Sequence, residues 1–168
     1  TLEIARRFNA LYGEVFPVPD PKLTHFPRLP GLDGRRMSKS LGNTILLADS
    51  PQEIEAKVRS AYTDPKKLRK EDPGNPDGCV VFAYHRAFHP AGAAQIERDC
   101  RAGAIGCVAD KRELAGIVAR SLEPIREKRK ELEAHPERVR EALRYGEEKA
   151  RAMAVETMRQ VREAMKLG

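Results

Sequence analysis

In the first dozen residues an apolar side chain recurs at every third position, at Leu2, Ala5, Phe8 and Leu11. This period is typical of a helix with one buried face. Gly13 follows directly and is a common helix stop signal. We therefore predict a helix that ends at Gly13.

The segment that follows has no regular spacing of apolar residues and is interrupted by prolines. Five prolines lie between Val15 and Pro30, which predicts a connector with one short strand over residues 24–29. The run Ser50-Pro51-Gln52-Glu53 then combines an N-cap serine, a proline at the first helical position and a capping-box glutamate. A second helix is predicted to begin there and to end near Tyr62.

A turn-rich stretch at 72–77, with the sequence DPGNPD, precedes a part of the chain in which every apolar pattern is helical. Asp110 is predicted to cap a long helix there, with Glu113 at its capping-box position. The predicted buried faces of this part comprise Val80, Val81, Tyr84 and Phe88, then Ile96, and then Leu114, Ile117, Val118, Leu122 and Ile125.

The last part predicts a short helix opening at Pro136 and a separate final helix. Methionine at helical spacing is usually core, so we predict that the stripe on the final helix is buried. Its members are Ala150, Met153, Ala154, Thr157, Met158, Val161 and Met165.

Together the patterns predict a mostly α protein: the tail of an α/β domain followed by an α-helical bundle. The predicted divisions are the α/β tail at 1–50, a connecting helix and turn cluster at 51–76, and a helical domain at 77–168.

Charge and composition limit the classes of molecule that the protein is expected to bind. The formal net charge is +6, which suits a polyanion and equally a surface of interleaved ion pairs. Aromatic residues make up only 5%, so phosphate contacts are expected to outweigh base stacking if nucleic acid binds. No apolar run is long enough to cross a bilayer, which predicts a soluble, cytoplasmic protein. Thr1 begins inside a helical pattern, which indicates a piece of a longer protein.

The stretch 31–43, GLDGRRMSKSLGN, carries the clearest chemistry. Glycine allows the backbone to approach a phosphate closely, and Arg35, Arg36 and Lys39 supply positive charge for a polyphosphate. Cations on a loop that closes can follow charge as it develops in a transition state. The alternative is a solvated hairpin tip, in which glycine and charged residues are also common.

At these residues the chain resembles the class I aminoacyl-tRNA synthetases, whose Lys-Met-Ser-Lys-Ser signature is matched by Arg36 to Ser40. Within that class it resembles the tryptophanyl family along essentially its whole length, through the segments ARRFN, DPGNPDGCVVF, IGCVADKRELA, LEPIREKRKEL and GEEKARAMAVETMRQVREAM. The tyrosyl relatives share the loop, so a tyrosine–tRNA ligase is a weaker alternative.

The resemblance implies an enzyme that activates tryptophan with ATP and Mg and transfers it to tRNA(Trp), and it implies a homodimer. It also implies that residues 1–50 are the end of a Rossmann-type α/β nucleotide-binding domain, which carries loop 31–43. It assigns Lys39 and Arg36 as catalytic residues. Arginine replaces the usual first lysine at Arg36, which substitutes a flat, bidentate cation for a point charge. The implied ATP-binding residues are Arg28, Leu29, Gly34, Arg36, Met37, Ser38, Lys39 and Ser40. The implied anticodon-binding region is the helical part, where Lys111, Arg112, Arg126 and Arg129 are candidate tRNA contacts and a solvated helix face is the alternative.

Two family signatures, a His-Ile-Gly-His-like segment and a Gly-Glu-Asp-Gln segment, are absent from these residues. We therefore expect the chain alone to be incomplete and inactive, as the C-terminal part of a tryptophan–tRNA ligase. The alternative is a non-catalytic tRNA-binding fragment or paralogue that lacks the activating half.

The three cysteines form no Cys-x-x-Cys pair, so zinc is weakly supported. Some members of the family hold a four-iron cluster with four cysteines in this region. The spacing of Cys100 and Cys107 matches that pattern, whereas the interval after Cys79 is shorter and Asp110 replaces the fourth ligand. Buried thiols and a helix N-cap at Asp110 are the alternative. No ligand spacing links the histidines, which are His25, His85, His89 and His135.

Overall fold

The computed structural model describes residues 1–167, and this part of the chain contains six α-helices. They are α1 (Leu2–Tyr12), α2 (Pro51–Arg59), α3 (Val80–Phe88), α4 (Pro90–Arg101), α5 (Cys107–Ala134) and α6 (Pro136–Ala164). Single 3₁₀ turns cover Lys39–Leu41 and Pro76–Gly78. The mostly helical class is confirmed. No strand forms within residues 1–167, so the Rossmann-type end stays a prediction.

The chain divides into two compact units, of which the first comprises residues 1–24 and the described residues from Leu132 onward. Here α1 ends at Gly13 as predicted, with that glycine at a left-handed φ of 100°. The Asn9 amide group ties down the chain beyond the helix. Its Nδ2 donates to the Phe16 carbonyl at 2.7 Å, and its Oδ1 accepts from the amides of Val15 and Phe16 at 3.2 and 3.0 Å.

The second unit, residues 25–131, contains a small hydrophobic cluster of Phe82, Ala93 and Ile96 and a larger main core. Helices α2, α3 and α5 each contribute a buried face, and the loop 31–43 adds Leu32. The fully or almost fully buried members include Ile54, Val58, Val81, Tyr84, Leu114 and Val118. The main core contains residues from all three predicted divisions. The boundaries near residues 50 and 76 therefore do not separate compact units. The division of the chain at these two positions stays a prediction.

The strand predicted at 24–29 is wrong. Pro30 and Arg36 form one isolated antiparallel bridge, and no ladder extends from it. Prolines at 27 and 30 lack the backbone N–H that a ladder needs, and the described chain offers no neighbouring strand. Helix α2 begins with the predicted capping box at Ser50 and ends at Arg59, three residues before the predicted end.

The N-cap role predicted for Asp110 is also wrong. Helix α5 begins at Cys107, and the Asp110 amide already donates to the Gly106 carbonyl at 3.1 Å, as in a helical turn. The Asp110 side chain is buried, and its Oδ1 lies 2.9 Å from Nε2 of His85, which is fully buried. The Asp110 carboxylate thus lies beside His85, a residue distant in sequence, and does not cap the helix.

The two helices predicted after Pro136 are one continuous helix, α6. A single glycine such as Gly146 costs a helix interior about 1 kcal/mol, and the strong helix formers around it offset that cost. The predicted burial of the apolar stripe is wrong as well. Val161 is buried, whereas Met153 and Met158 are exposed.

Candidate functional site

The core of the second unit fixes both ends of loop 31–43. The amide of buried Leu32 donates to the Asn43 carbonyl at 2.9 Å, and the Leu32 carbonyl accepts from the Tyr62 amide at 2.7 Å. The Tyr84 hydroxyl donates to the Pro30 carbonyl at 3.0 Å. A loop with an exposed, cationic surface is therefore anchored on buried groups.

Inside the loop, the Asp33 carboxylate contacts two other loop residues, Asn43 and Arg35. Its Oδ1 accepts from Asn43 Nδ2 at 2.8 Å, and its Oδ2 lies 2.6 Å from Nη2 of Arg35. The hydrogen bond from Asn43, supported by the Arg35 guanidinium, lowers the pKa of the Asp33 carboxyl from 3.8 to about 2. Asp33 is therefore ionised throughout the physiological pH range and neutralises Arg35.

An open cleft of about 840 Å³ lies against the loop. It is lined by Pro27, Arg28, Leu29, Pro30, Gly34, Arg35, Arg36 and Met37. Three guanidinium groups line this cleft. Asp33 pairs with that of Arg35, and the other two belong to Arg28 and Arg36. Planar guanidinium groups bind phosphate oxygens in bidentate fashion, so the cleft suits a polyphosphate.

The structure brings five of the predicted ATP-binding residues to this cleft, namely Arg28, Leu29, Gly34, Arg36 and Met37. The other three, Ser38, Lys39 and Ser40, follow Met37 along the chain and do not line it. Exposed Lys39 begins a 3₁₀ turn with Ser38 at its N-cap position, and the hydroxyls of Ser38 and Ser40 are 2.9 Å apart.

Sequence reasoning missed Asn43. Its side chain is buried and makes hydrogen bonds to three loop residues. The signal was present in the Leu-Gly-Asn that ends the motif, but an asparagine near glycines is also common in turns.

Comparisons with known proteins identify the family of this chain. A family model described as tRNA synthetases class I (W and Y) matches residues 1–123. The chain belongs to this family. It is 49% identical over 167 residues to the tryptophan–tRNA ligase of Aquifex aeolicus, covering 98% of this chain and 42% of that protein. It is 44% identical to that of Thermotoga maritima, covering 99% of this chain and 52% of the relative.

Solved structures give the same result. The tryptophanyl-tRNA synthetase from Campylobacter jejuni, complexed with ADP and tryptophan, matches with a TM-score of 0.74 and 30% identity. That match covers 99% of this chain and 52% of the solved chain. The resemblance to tryptophanyl synthetases is confirmed, and the chain corresponds to the helical C-terminal part of such an enzyme. The chain spans about half the length of the curated relatives it matches.

All four residues that were predicted to contact tRNA lie on α5. Lys111 Nζ donates to the Arg59 carbonyl at 3.1 Å, and Arg126 Nη2 donates to the Ala119 carbonyl at 2.7 Å. Arg112 lines two clefts, of about 550 and 160 Å³. Two of the four side chains thus already serve carbonyls of the protein. The tRNA roles of Lys111, Arg112, Arg126 and Arg129 stay predictions.

The residues considered for an iron–sulfur cluster do not fit one. Cys79, Cys100 and Cys107 are free and half-buried. Burial raises the pKa of the Cys79 and Cys100 thiols, which disfavours the thiolate that iron requires. The Asp110 carboxylate pairs with His85. Within residues 1–167 no three His, Cys, Asp or Glu side chains are arranged to hold a metal ion.

None of the described helices is both long enough and apolar enough to cross a bilayer.

Proposed function

We propose that this chain is the C-terminal part of a tryptophan–tRNA ligase and that loop 31–43 binds the phosphates of ATP, which is used with Mg. The observation that carries the proposal is the arginine-lined cleft at the loop. The chain segment that lines this cleft ends at Met37, and the turn that bears Lys39 begins two residues later. The tryptophan ligases that match nearly the whole chain support tryptophan over tyrosine as the amino acid.

The proposed chemistry has two steps. A carboxylate oxygen of tryptophan attacks the α-phosphorus of ATP, a P–O bond forms, and the bond to the β-phosphate oxygen breaks. Pyrophosphate leaves with the electron pair, and tryptophanyl-adenylate remains. Lys39 and Arg36 offset the negative charge that grows on the leaving group. The 2′- or 3′-hydroxyl oxygen of the terminal adenosine of tRNA(Trp) then attacks the carbonyl carbon of the adenylate, and an ester bond forms. The bond from that carbon to the phosphate oxygen breaks, AMP leaves with the electron pair, and the hydroxyl proton is released.

The family relationship supports three further proposals: a homodimer for the intact enzyme, a cytoplasmic location, and anticodon contacts through residues 77–168. It also leaves one alternative with its own support. Because the chain spans about half of its relatives and carries a net charge of +6, it is also suited to act as a tRNA-binding fragment without catalysis.

The test is tryptophan-dependent ATP–pyrophosphate exchange by the full-length gene product that carries these residues. Lys39→Ala is expected to lower the rate by about 10²–10³-fold, as removal of a group that stabilises transition-state charge does. Lys149→Ala removes an exposed lysine of α6 and is the matched control, expected to leave exchange unchanged.

Exchange that depends on tyrosine instead of tryptophan would favour the tyrosine ligase. Exchange that survives Lys39→Ala would reject the role of the loop. No exchange by a product of only 168 residues that still shifts tRNA in a gel would favour the non-catalytic alternative.

A further inference from the structure

Asn43 is a buried amide in a loop whose cationic side chains, Arg35, Arg36 and Lys39, are exposed, and only 5% of the residue is accessible to solvent. Buried amide groups need hydrogen-bond partners. Nδ2 donates to Asp33 Oδ1 at 2.8 Å and to the Arg36 carbonyl at 3.1 Å, while Oδ1 accepts from the Ser38 amide at 2.8 Å. All three bonds lie within the signature loop.

The loop backbone closes tightly around this amide. A Cβ placed on Gly31 would overlap the side-chain amide of Asn43, so only glycine allows this approach. The Asn43 carbonyl accepts from the amide of Leu32, which belongs to the core. Asn43 therefore links the core of the second unit to the loop tip.

The Asn43 bonds fall on both sides of Met37. The Arg36 carbonyl precedes it, the Ser38 amide follows it, and the Met37 side chain packs against the core. Ser38 occupies the N-cap position of the turn that begins at Lys39, without a side-chain capping hydrogen bond. The backbone that carries both cations is thus fixed at three consecutive residues, which lowers the entropy lost when they engage a ligand.

We propose that Asn43 is a positioning residue of the synthetase reaction: its side-chain amide holds the backbone at Arg36 and Ser38 and so places Arg36 and Lys39 for the ATP phosphates. The inference rests on the proposed function of the loop. Asn43 itself acts through these two cations and touches no reacting atom.

Asn43→Asp is the sharpest variant because it keeps the shape of the side chain. It retains an acceptor for the Ser38 amide, removes both donors, and sets a second carboxylate against Asp33. The double variant Asp33→Asn/Asn43→Asp restores a donor–acceptor pair with reversed polarity. Asn9→Asp is the matched control, since Asn9 also makes three hydrogen bonds but belongs to the first unit.

The first readout is the rate of trypsin cleavage after Arg35, Arg36 and Lys39 under native conditions, measured on the 168-residue chain. Cleavage reports local opening of the loop. Asn43→Asp is expected to speed cleavage about tenfold, the effect of losing one buried hydrogen bond to a charged group. The double variant is expected to recover part of this loss, because it restores the pair between positions 33 and 43 but not the donor to the Arg36 carbonyl. Asn9→Asp is expected to match the wild type at these sites.

The second readout is ATP–pyrophosphate exchange by the full-length product, normalised to titrated active sites. Asn43→Asp is expected to lower kcat/KM for ATP about tenfold and to leave the KM for tryptophan unchanged. The double variant is expected to restore the ATP constant in part. A merely structural defect would lower the number of titrated active sites and would leave the normalised kcat and both KM values in place.

Three outcomes would overturn the inference: wild-type trypsin rates in Asn43→Asp, faster cleavage with unchanged constants for ATP, or an equal loss in Asn9→Asp. Absence of exchange in the wild type would instead reject the proposed function. Because the trypsin rates do not depend on activity, the two failures are distinguishable.

Discussion

Helices α5 and α6 are almost equal in length, at 28 and 29 residues, and both carry apolar side chains at helical spacing. The two helices differ in how far these apolar side chains are buried. Leu114 on α5 is 1% exposed, whereas Leu143 on α6 is 68% exposed. Helical spacing selects which side chains share a face, but it does not supply the surface that covers them.

The difference comes from the neighbours. The face of α5 packs into the core with α2, α3 and Leu32. The described chain provides no comparable cover for Leu143, Met153 and Met158. Apolar burial therefore stabilises α5 through tertiary packing, while α6 depends more on helix propensity and on ion pairs such as Arg159 with Glu156 and Glu163.

A pair of identical truncations tests this contrast most strongly. Leu114→Ala removes a fully packed side chain and is expected to cost about 2–5 kcal/mol in the free energy of unfolding. Leu143→Ala on α6 is expected to change it by less than about 0.5 kcal/mol. Urea unfolding followed by circular dichroism measures both. Equal losses would mean that α6 is packed as tightly as α5 in solution.

The same contrast explains which parts of the fold could be predicted. The start of α2 was predicted correctly because its cap is local: Ser50 and Glu53 satisfy each other within one turn. The burial of Met153 and Met158 was predicted wrongly because burial depends on distant elements. Local rules do not contain that information.

A second pair compares two acidic residues in the first turn of a helix, each beside a histidine. Asp110 lies 2.9 Å from buried His85, and Glu137 lies 3.2 Å from exposed His135. Asp110→Ala removes the carboxylate that lies 2.9 Å from a fully buried imidazole nitrogen and is expected to cost about 1–3 kcal/mol, the usual cost of a buried polar group without compensation. Glu137→Ala is expected to cost less than about 1 kcal/mol, as for exposed pairs.

Urea unfolding at neutral pH measures both variants. A loss in Glu137→Ala that equals the loss in Asp110→Ala would contradict the buried and exposed assignments of the two pairs. Asp110→Asn is the conservative variant. It retains a polar side chain beside His85 and is expected to recover part of the stability.

A motif in the sequence indicates the residues of the site in part. Of the five signature positions, Arg36 and Met37 line the cleft, whereas Ser38, Lys39 and Ser40 follow them along the chain. The supports were not predictable, because the partner of Pro30 is Tyr84, 54 positions away in sequence. Nothing in the sequence near either residue indicates that hydrogen bond.

That bond allows the finest comparison, between two tyrosines. Tyr84 is buried and donates to the Pro30 carbonyl at 3.0 Å, whereas Tyr145 on α6 is exposed. Tyr84→Phe is expected to cost about 1 kcal/mol, because it leaves that carbonyl without its protein donor. Tyr145→Phe is expected to change stability by no more than about 0.5 kcal/mol.

The pH dependence sharpens this comparison. Burial raises the pKa of Tyr84 from 10.0 to about 12. Because the folded-state pKa lies above the unfolded value, this contribution to stability is complete below pH 10 and is lost as the pH rises toward 12. Wild type and Tyr145→Phe are therefore expected to lose stability over that range, and Tyr84→Phe is expected to lose less. Urea midpoints measured on both sides of pH 10 decide the matter: parallel slopes in all three proteins would mean that the Tyr84 hydroxyl is solvated and does not anchor the base of the loop.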